Sequence, residues 1–366
     1  MDRIVLSSGG TGGHIFPALA VAESIRESYP RAELLFVGGE HGPEGKWAEE
    51  AGIPFVGLPA QGVLGRGIRS LGSAWWMLRS LMRCWKTYAR FKPQVVLGFG
   101  SYASFVPVLI AAWKRIPCAV HEQNAHPGVT NRFLGKRVQR VFLSFPDEQG
   151  WFDPQKVRVT GNPVRTSLIT LGGKEKIYTH QSGHRVLVLG GSQGAQAINQ
   201  AVLQALPQLL PQGVQVLHQA GERHYAEFSA HYDAFDPDQA KVVPFIQDMA
   251  AAYSWADLVV SRAGASTVAE LTVIGRPSVL IPFPYAVHQH QLHNAKLLEK
   301  AGAAMVVEQS YLPEVDLADM ILNLLALPDK LLAMGRAARQ LGQPEATRSI
   351  VQEVAAMSAV KGKSRS

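Results

Sequence analysis

Twice in this chain a run of apolar, β-forming residues breaks into glycines and then into sequence of helical period. Ile4-Val-Leu-Ser-Ser-Gly-Gly-Thr-Gly-Gly is echoed by Val186-Leu-Val-Leu-Gly-Gly-Ser-Gln-Gly, and Val95-Val-Leu-Gly-Phe-Gly-Ser-Tyr-Ala-Ser by Leu258-Val-Val-Ser-Arg-Ala-Gly-Ala-Ser-Thr. A glycine turn placed directly after a buried strand belongs to parallel sheets covered by helices, where ligands meet the carboxyl ends of the strands. Strands are predicted at Arg3–Ser7, Leu34–Val37, Val95–Leu97, Ala119–Val120 and Val141–Leu143 in the first half. In the second they are predicted at Arg185–Leu189, Val214–His218, Lys241–Val243, Leu258–Val260 and Ser278–Ile281. The fold class is α/β, two tandem Rossmann-like domains whose strand ends would face a shared cleft. A length of 366 residues accommodates two such domains. The boundary is predicted near Gly161-Asn162-Pro163, with a polar connection at Leu171–Gly183.

Composition narrows the class. The chain is 47% hydrophobic and 18% charged, enough to bury real cores, which excludes a disordered or collagen-like chain. Cys84 and Cys118 are the only cysteines, which fits a reducing compartment and leaves no Cys-rich zinc site. The N-terminus lacks the basic and apolar regions of a secretory signal, so secretion is not expected. Val95–Trp113 carries no charge over 19 residues, but its glycines, serines and Pro107 read as strand, turn and buried helix rather than a membrane span.

Charge is lopsided. Residues 1–163 hold 19 Lys/Arg against 12 Asp/Glu and carry the whole net charge of +7; the remainder holds 17 of each. Between 51 and 146 there are 13 basic residues and one acid, Glu122. Such a field draws an anionic partner: lipid headgroups, nucleic acid or a phosphorylated substrate. Within it Leu71, Trp75, Leu78, Met82, Trp85 and Ala89 recur at helical steps, a stripe read chiefly as core packing under a sheet. Trp76, Arg79, Arg83, Lys86 and Arg90 follow one residue on. A Trp among arginines fits docking on anionic lipid, a surface that Arg66, Arg69, Trp113, Lys114 and Arg115 would extend. A stacking platform for nucleic acid uses the same residue types, but no nucleic-acid motif accompanies it.

Three glycine-rich turns carry the chemistry. Gly9-Gly-Thr-Gly-Gly13 lets backbone N–H groups approach an anion at a helix start, yet it lacks the Lys-Ser/Thr of a Walker loop and has Ile15 at the third dinucleotide glycine. His14 closes it, a group that titrates near neutral pH. Gly190-Gly-Ser-Gln-Gly194 offers a second cradle with the Ser192 hydroxyl. Arg262-Ala-Gly-Ala-Ser-Thr-Val-Ala-Glu270 opens a helix in which Glu270 could accept both hydroxyls of a ribose. Arg165 would suit a pyrophosphate, and His121-Glu-Gln-Asn124 ends a strand. Asp236-Pro-Asp238 reads as a turn rather than a metal motif. In His288-Gln-His290-Gln-Leu-His293 the interleaved glutamines and the absence of nearby carboxylates argue against a zinc site, and Gln289 and Gln291 read as neutral hydrogen-bonders to a sugar.

Gly10-Thr-Gly-Gly-His-Ile-Phe-Pro-Ala-Leu-Ala, Gly98-Phe-Gly-Ser-Tyr-Ala-Ser, His121-Glu-Gln-Asn-Ala, Gly161-Asn-Pro-Val-Arg, Gly190-Gly-Ser-Gln-Gly and the Arg262–Glu270 run occur together and in order. With them the chain resembles the MurG family over nearly its whole length. The resemblance implies a GT-B fold. It also implies transfer of GlcNAc from UDP-GlcNAc to the C4 hydroxyl of MurNAc in lipid I, giving lipid II with inversion, no cofactor and no catalytic metal. The domains would be 1–163 for acceptor and membrane, 164–340 for UDP-GlcNAc, and 341–366, a helix returning to the first domain with a basic tail. Thr11, Gly12, Gly13, Asn124, Arg165, Ser192, Ile246, Ala265, Ser266, Thr267, Val268, Ala269, Glu270 and Gln291 would line the donor site. The family commonly has Leu at the position of Ser266 and Ser at that of Ala269. His14 is the expected base, with Glu122 the second candidate; Trp76, Arg79, Arg83, Lys86 and Tyr102 would meet membrane and acceptor. The resemblance places the protein peripherally on the cytoplasmic face of the inner membrane, with other cell-wall synthesis proteins as partners and no nucleic acid. A UDP-GlcNAc epimerase or another glycolipid glycosyltransferase would share the nucleotide-sugar chemistry. A basic nucleic-acid binder would leave the glycine loops of the neutral half without a purpose.

Overall fold

A computed structural model of the chain describes residues 1–59, 71–173, 184–191, 194–286 and 289–363. Arg66, Arg69, Ser192, Gln193, His288 and most of the polar connection before Gly183 lie outside the described residues. The chain forms two compact units, Met1–Thr166 with Pro344–Ser366, and Ser167–Gln343.

The first unit is a seven-stranded parallel sheet in the order β3-β2-β1-β4-β5-β6-β7. Its strands are β1 (Arg3–Ser7), β2 (Glu33–Gly39), β3 (Phe55–Leu58), β4 (Val95–Gly98), β5 (Cys118–Glu122), β6 (Arg140–Leu143) and β7 (Val157–Val159). Alternation along the strands supplies two cores. Ile4 and Leu6 of β1 face helix α1 (Gly12–Ser28), packing on Ile15, Val21 and Ile25. Val5 faces the opposite layer with Cys84, Tyr88 and Val108. The last helix of the chain, α14 (Ala346–Lys363), completes the α1 layer with Ile350, Val351 and Val354. The outgoing and returning segments are stitched within this unit. The Val164 N–H donates to Thr347 Oγ1 at 3.2 Å, and that hydroxyl donates to the Val164 carbonyl at 3.0 Å.

The second unit repeats the plan with six parallel strands in the order β10-β9-β8-β11-β12-β13. These are β8 (His184–Leu189), β9 (Val214–Gln219), β10 (Ala240–Val243), β11 (Leu258–Ser261), β12 (Ser278–Leu280) and β13 (Ala304–Val306). All ten predicted strands are present. The three that the sequence reading lacks, β3, β7 and β13, are sheet edges of three or four residues, too short to show a period.

One expectation fails. Helix α3 (Leu71–Phe91) does not bury its Trp75–Leu78–Met82–Trp85 stripe: those residues are 60%, 48%, 45% and 47% exposed. It packs through Ser80, Cys84 and Tyr88, with Met77, Leu81 and Phe91 beside them. Residues 77, 81, 84, 88 and 91 also recur at steps of four and three, so the helix offers two stripes of equal period, and the narrower one fits the sheet. Ala89 is exposed as well. Among the described residues no helix is long and apolar enough to cross a membrane, and residues 95–113 divide into β4, a single turn and the nine-residue helix α4 (Phe105–Trp113).

Candidate active site

In the first sheet β1 is flanked by β2 on one side and β4 on the other, so successive connections leave it in opposite directions and open a crevice at its carboxyl end. The loop from Gly9 feeds α1, which carries neither a side-chain cap from Thr11 nor an acidic residue in its first turn. His14 lies half-buried on that turn. Its Nδ1 faces two oxygens, the Phe99 carbonyl at 3.0 Å and Gln123 Oε1 at 2.8 Å. Gly100, at φ 81°, makes room for the ring: a Cβ there would stand 3.3 Å from His14 Nδ1 and 3.2 Å from Asn131 Nδ2. Beyond Gln123 lies His121, fully buried, its Nε2 3.1 Å from the Gly161 carbonyl. Burial holds its pKa down to about 4, although the bond to Gly161 works the other way.

Glu122, the other candidate base, is engaged differently. One oxygen accepts from the Asn124 N–H and Nδ2, the other from the Gly128 N–H and Asn131 Nδ2, at 2.8 to 3.2 Å. At 2% exposure it is the staple of the 124–128 loop, with four donors already in place and little room for a substrate proton. Asn124 is thereby oriented, half-exposed, beyond the carboxyl end of β5. Tyr102 is 40% exposed on the neighbouring turn, its pKa raised by partial burial and by Glu44. The Arg165 guanidinium lies 5.6 Å from the centre of the Phe16 ring, with its Nε buried and lacking a hydrogen-bond partner among the described residues.

The second unit presents two uncapped helix starts beside its own central strand. Gly190 leads from β8 towards α7 (Gln196–Leu209), and a Cβ on Gly190 would meet the Gln219 carbonyl at 2.9 Å. Helix α10 (Ala265–Ile274) starts from Gly264 after β11, with no acid in its first turn. Ser266, Thr267 and Ala269 are half-buried along it, while Ala265 and Val268 pack inward; Ile246 is buried on the loop after β10. Glu270 accepts a 2.9 Å bond from the hydroxyl of the fully buried Tyr253. Arg262 is spent on structure. Its guanidinium donates to the Ile281 and Pro282 carbonyls and to Gln309 Oε1, and desolvation lowers its pKa to about 10. Gln291 Oε1 accepts from the Phe283 N–H at 3.0 Å, which turns its amide N–H groups to other partners. Asp236 closes an Asx turn on the Asp238 N–H at 2.9 Å, as its loop position predicts. Among the described residues no group of three or more His, Cys, Asp or Glu is arranged to hold a metal.

Three roles escape a reading by motif. Gln123 and His121 sit inside a run that the sequence does flag, but the bond from Gln123 to His14, through which His121 acts, spans more than a hundred residues of chain. Tyr253 carries no signal at all, being an aromatic in an ordinary amphipathic segment.

Two parallel α/β units, each with a glycine turn opening a helix beside its central strand, give the two-domain Rossmann-like architecture of the GT-B class. The N-terminal domain profile of glycosyltransferase family 28 matches residues 4–143, and its C-terminal domain profile matches residues 185–354. A relative from Nitratidesulfovibrio vulgaris (strain Miyazaki F) is 49% identical, covering 99% of each chain. One from Solidesulfovibrio magneticus is 48% identical over 99% of this chain and 100% of its own. Both are named UDP-N-acetylglucosamine–N-acetylmuramyl-(pentapeptide) pyrophosphoryl-undecaprenol N-acetylglucosamine transferase. The crystal structure of Acinetobacter baumannii MurG superposes with a TM-score of 0.73 at 33% identity, covering 97% of this chain and 99% of that one. The UDP-GlcNAc 2-epimerase of Neisseria meningitidis, at 15% identity and a TM-score of 0.66, shares the fold alone. The chain belongs to glycosyltransferase family 28 and, within it, to the MurG family.

Proposed function

We propose that the chain transfers GlcNAc from UDP-GlcNAc to the C4 hydroxyl of MurNAc in lipid I, forming lipid II with inversion at the sugar carbon. The observation that carries the reading is His14: Nδ1 is committed to two oxygens, which leaves Nε2 to take the acceptor proton. A positioned base typically contributes ~10²–10⁴-fold. Thr11, Gly12, Gly13, Asn124 and Arg165 of the first unit, and Ile246, Ala265 to Glu270 and Gln291 of the second, are the proposed donor contacts, together with Ser192. Backbone N–H groups at uncapped helix starts suit the negative charge that develops on the departing UDP. Glu122 holds the Asn124 loop in this scheme and His14 is the base.

The acceptor is a lipid, and the exposed α3 face offers a way to reach it. Trp75, Leu78, Met82, Trp85 and Trp113 stand open to solvent beside Arg79, Arg83 and Lys86. Isolated apolar side chains are ordinary at a surface, but several bulky ones beside a basic row mark a membrane contact. Docking on the anionic cytoplasmic leaflet follows, with Trp76 and Tyr102 at the margin and with other cell-wall synthesis proteins as neighbours there.

The deciding experiment is transfer of labelled GlcNAc to a soluble lipid I analogue, with the anomeric configuration of the product read by NMR. The expected result is a β-linked disaccharide from the α-linked donor. Epimerisation of UDP-GlcNAc in the absence of acceptor would replace this reading with the epimerase one. Unchanged turnover in His14→Ala would remove His14 as base.

A further inference from the structure

The carbonyls at the two ends of one hydrogen-bond chain decide where every proton within it lies. Phe99 O and Gly161 O can only accept. His121 Nε2, 3.1 Å from the Gly161 carbonyl, must therefore carry the proton, and its Nδ1 is left as an acceptor. Gln123 Nε2 lies 3.1 Å from that Nδ1 and 3.0 Å from Phe99 O, two acceptors that together require the amide NH₂ at this position. The amide oxygen is then turned to His14 Nδ1 at 2.8 Å. With Phe99 O on the same nitrogen at 3.0 Å, His14 Nδ1 has two acceptors and must be the donor. A flipped Gln123 amide would oppose its oxygen to Phe99 O and to the His121 lone pair, and would turn the His14 Nδ1 lone pair onto Phe99 O, so the alternative is closed at three points.

We infer that Gln123, oriented by His121 and the Gly161 carbonyl, is a positioning residue that holds neutral His14 as the Nδ1–H tautomer with the Nε2 lone pair free. Which ring nitrogen carries the proton is set by the bond the other nitrogen makes. A base presenting N–H to the acceptor hydroxyl cannot take its proton, so each fraction of the wrong tautomer is lost turnover. Gln123 is 1% exposed and His121 is fully buried, so water has no access to substitute for either. The relay is neutral throughout. It fixes geometry and tautomer without adding the countercharge a carboxylate would bring. Neither Gln123 nor His121 touches substrate in this scheme; both act through His14, and the inference rests on His14 being the base.

Two measurements on the full-length protein test it. In ¹⁵N-histidine-labelled enzyme, the bare and protonated ring nitrogens of neutral His14 are told apart by their widely separated shifts, with His14→Gln identifying the signal. Wild type is expected to show Nδ1 protonated and Nε2 bare; the opposite tautomer overturns the inference whatever the variants do. Gln123→Met, close in volume and without the amide, is expected to lower kcat about 10- to 100-fold, to leave the KM for UDP-GlcNAc within twofold, and to shift His14 towards a tautomer mixture. A Gln123→Met enzyme with wild-type kcat and tautomer, alongside an inactive His14→Ala, would discard the relay and keep the base. An active His14→Ala would discard the base itself. Should Gln123→Met fail to fold, the wild-type spectrum alone decides.

Discussion

The Tyr253 hydroxyl donates to the Glu270 carboxylate at 2.9 Å, tying the helix that precedes β11 to the second turn of the helix that follows it. Tyr253 has no exposed surface, and its own carbonyl accepts from Arg276 Nε at 2.8 Å, so the ring is fixed before Glu270 meets any ligand. A carboxylate held in this way has a fixed orientation on its helix. If Glu270 binds the ribose, Tyr253→Phe should raise the KM for UDP-GlcNAc about 3- to 10-fold at nearly unchanged kcat, the scale of a net hydrogen-bond contribution of about 1 kcal/mol. Glu270→Ala should raise it further. A donor KM identical to wild type in both variants would deny Glu270 that role.

Ser101 stands at φ 64°, ψ 164°, directly after Gly100 at φ 81°. That region of backbone space belongs essentially to glycine, and a side chain there costs of order 1–3 kcal/mol. Ser101→Gly should therefore stabilise the first unit by about 1 kcal/mol, once the greater freedom of unfolded glycine is subtracted. Its Oγ lies 3.2 Å from where a Gly10 Cβ would be, so the strained residue faces the first glycine loop. A higher denaturation midpoint with lower turnover would show strain retained for function; a lower midpoint would contradict the strain argument.

These relationships show what was legible beforehand and what was not. The central strands were readable because each is a buried apolar run, and β1, β4, β8 and β11 each lead into a glycine turn. The position of His14, at the start of the helix that follows the first glycine turn, was readable too. The edges β3, β7 and β13 were not, for lack of length. Helix α3 misled because its Trp75 stripe and its Cys84 stripe share one period, and hydrophobicity favours the stripe that the fold leaves outside. Glu122 looked like a base by residue type, whereas its four donors come from residues up to nine positions away and appear only on folding. The relay behind His14 joins segments around residues 14, 99, 123 and 161, a juxtaposition that no local pattern encodes.

The second unit hides a titratable group under its glycine loop. His218 Nε2 bonds Asn199 Oδ1 at 3.1 Å, its Nδ1 meets the Tyr232 hydroxyl at 2.8 Å, and burial lowers its pKa to about 3. The unfolded chain takes up this proton near the ordinary value of ~6.5, and the folded chain refuses it until about 3. The unfolded state thus binds more protons throughout that window, so stability is full above it and falls as the pH drops through it. His121, held down to about 4, adds the same sign in the first unit over a narrower range. His218→Gln should be less stable than wild type at pH 7.5 yet lose less stability between pH 6.5 and 4, as read from guanidinium midpoints. An acid slope equal to that of wild type would show that His218 does not carry it.

If the α3 face docks on a membrane, charge and apolar contact contribute separately, and α3 allows the two to be varied apart. Each basic residue near an anionic leaflet is worth ~1 kcal/mol, so losing three costs on the order of 100-fold in vesicle affinity, and reversing them costs more. The three are not equivalent. Arg83 Nη1 lies 3.2 Å from Glu40 Oε2, so part of its charge is already answered within the protein. Arg79→Glu and Lys86→Glu should each weaken binding to phosphatidylglycerol-containing vesicles more than Arg83→Glu does. All three effects should shrink as salt rises, because exposed charges are screened. Trp75→Ser with Trp85→Ser should also weaken binding, but with little dependence on salt, since burial of apolar surface is not screened. Lys114 Nζ lies 3.6 Å from the centre of the Trp85 ring, so removing that ring also frees a cation, and the loss should be smaller on strongly anionic vesicles than on weakly anionic ones. Transfer to a water-soluble acceptor should be unaffected by any of these changes. If flotation shows wild-type vesicle binding for the triple reversal and for the double serine variant alike, the proposed membrane contact of the α3 face is overturned.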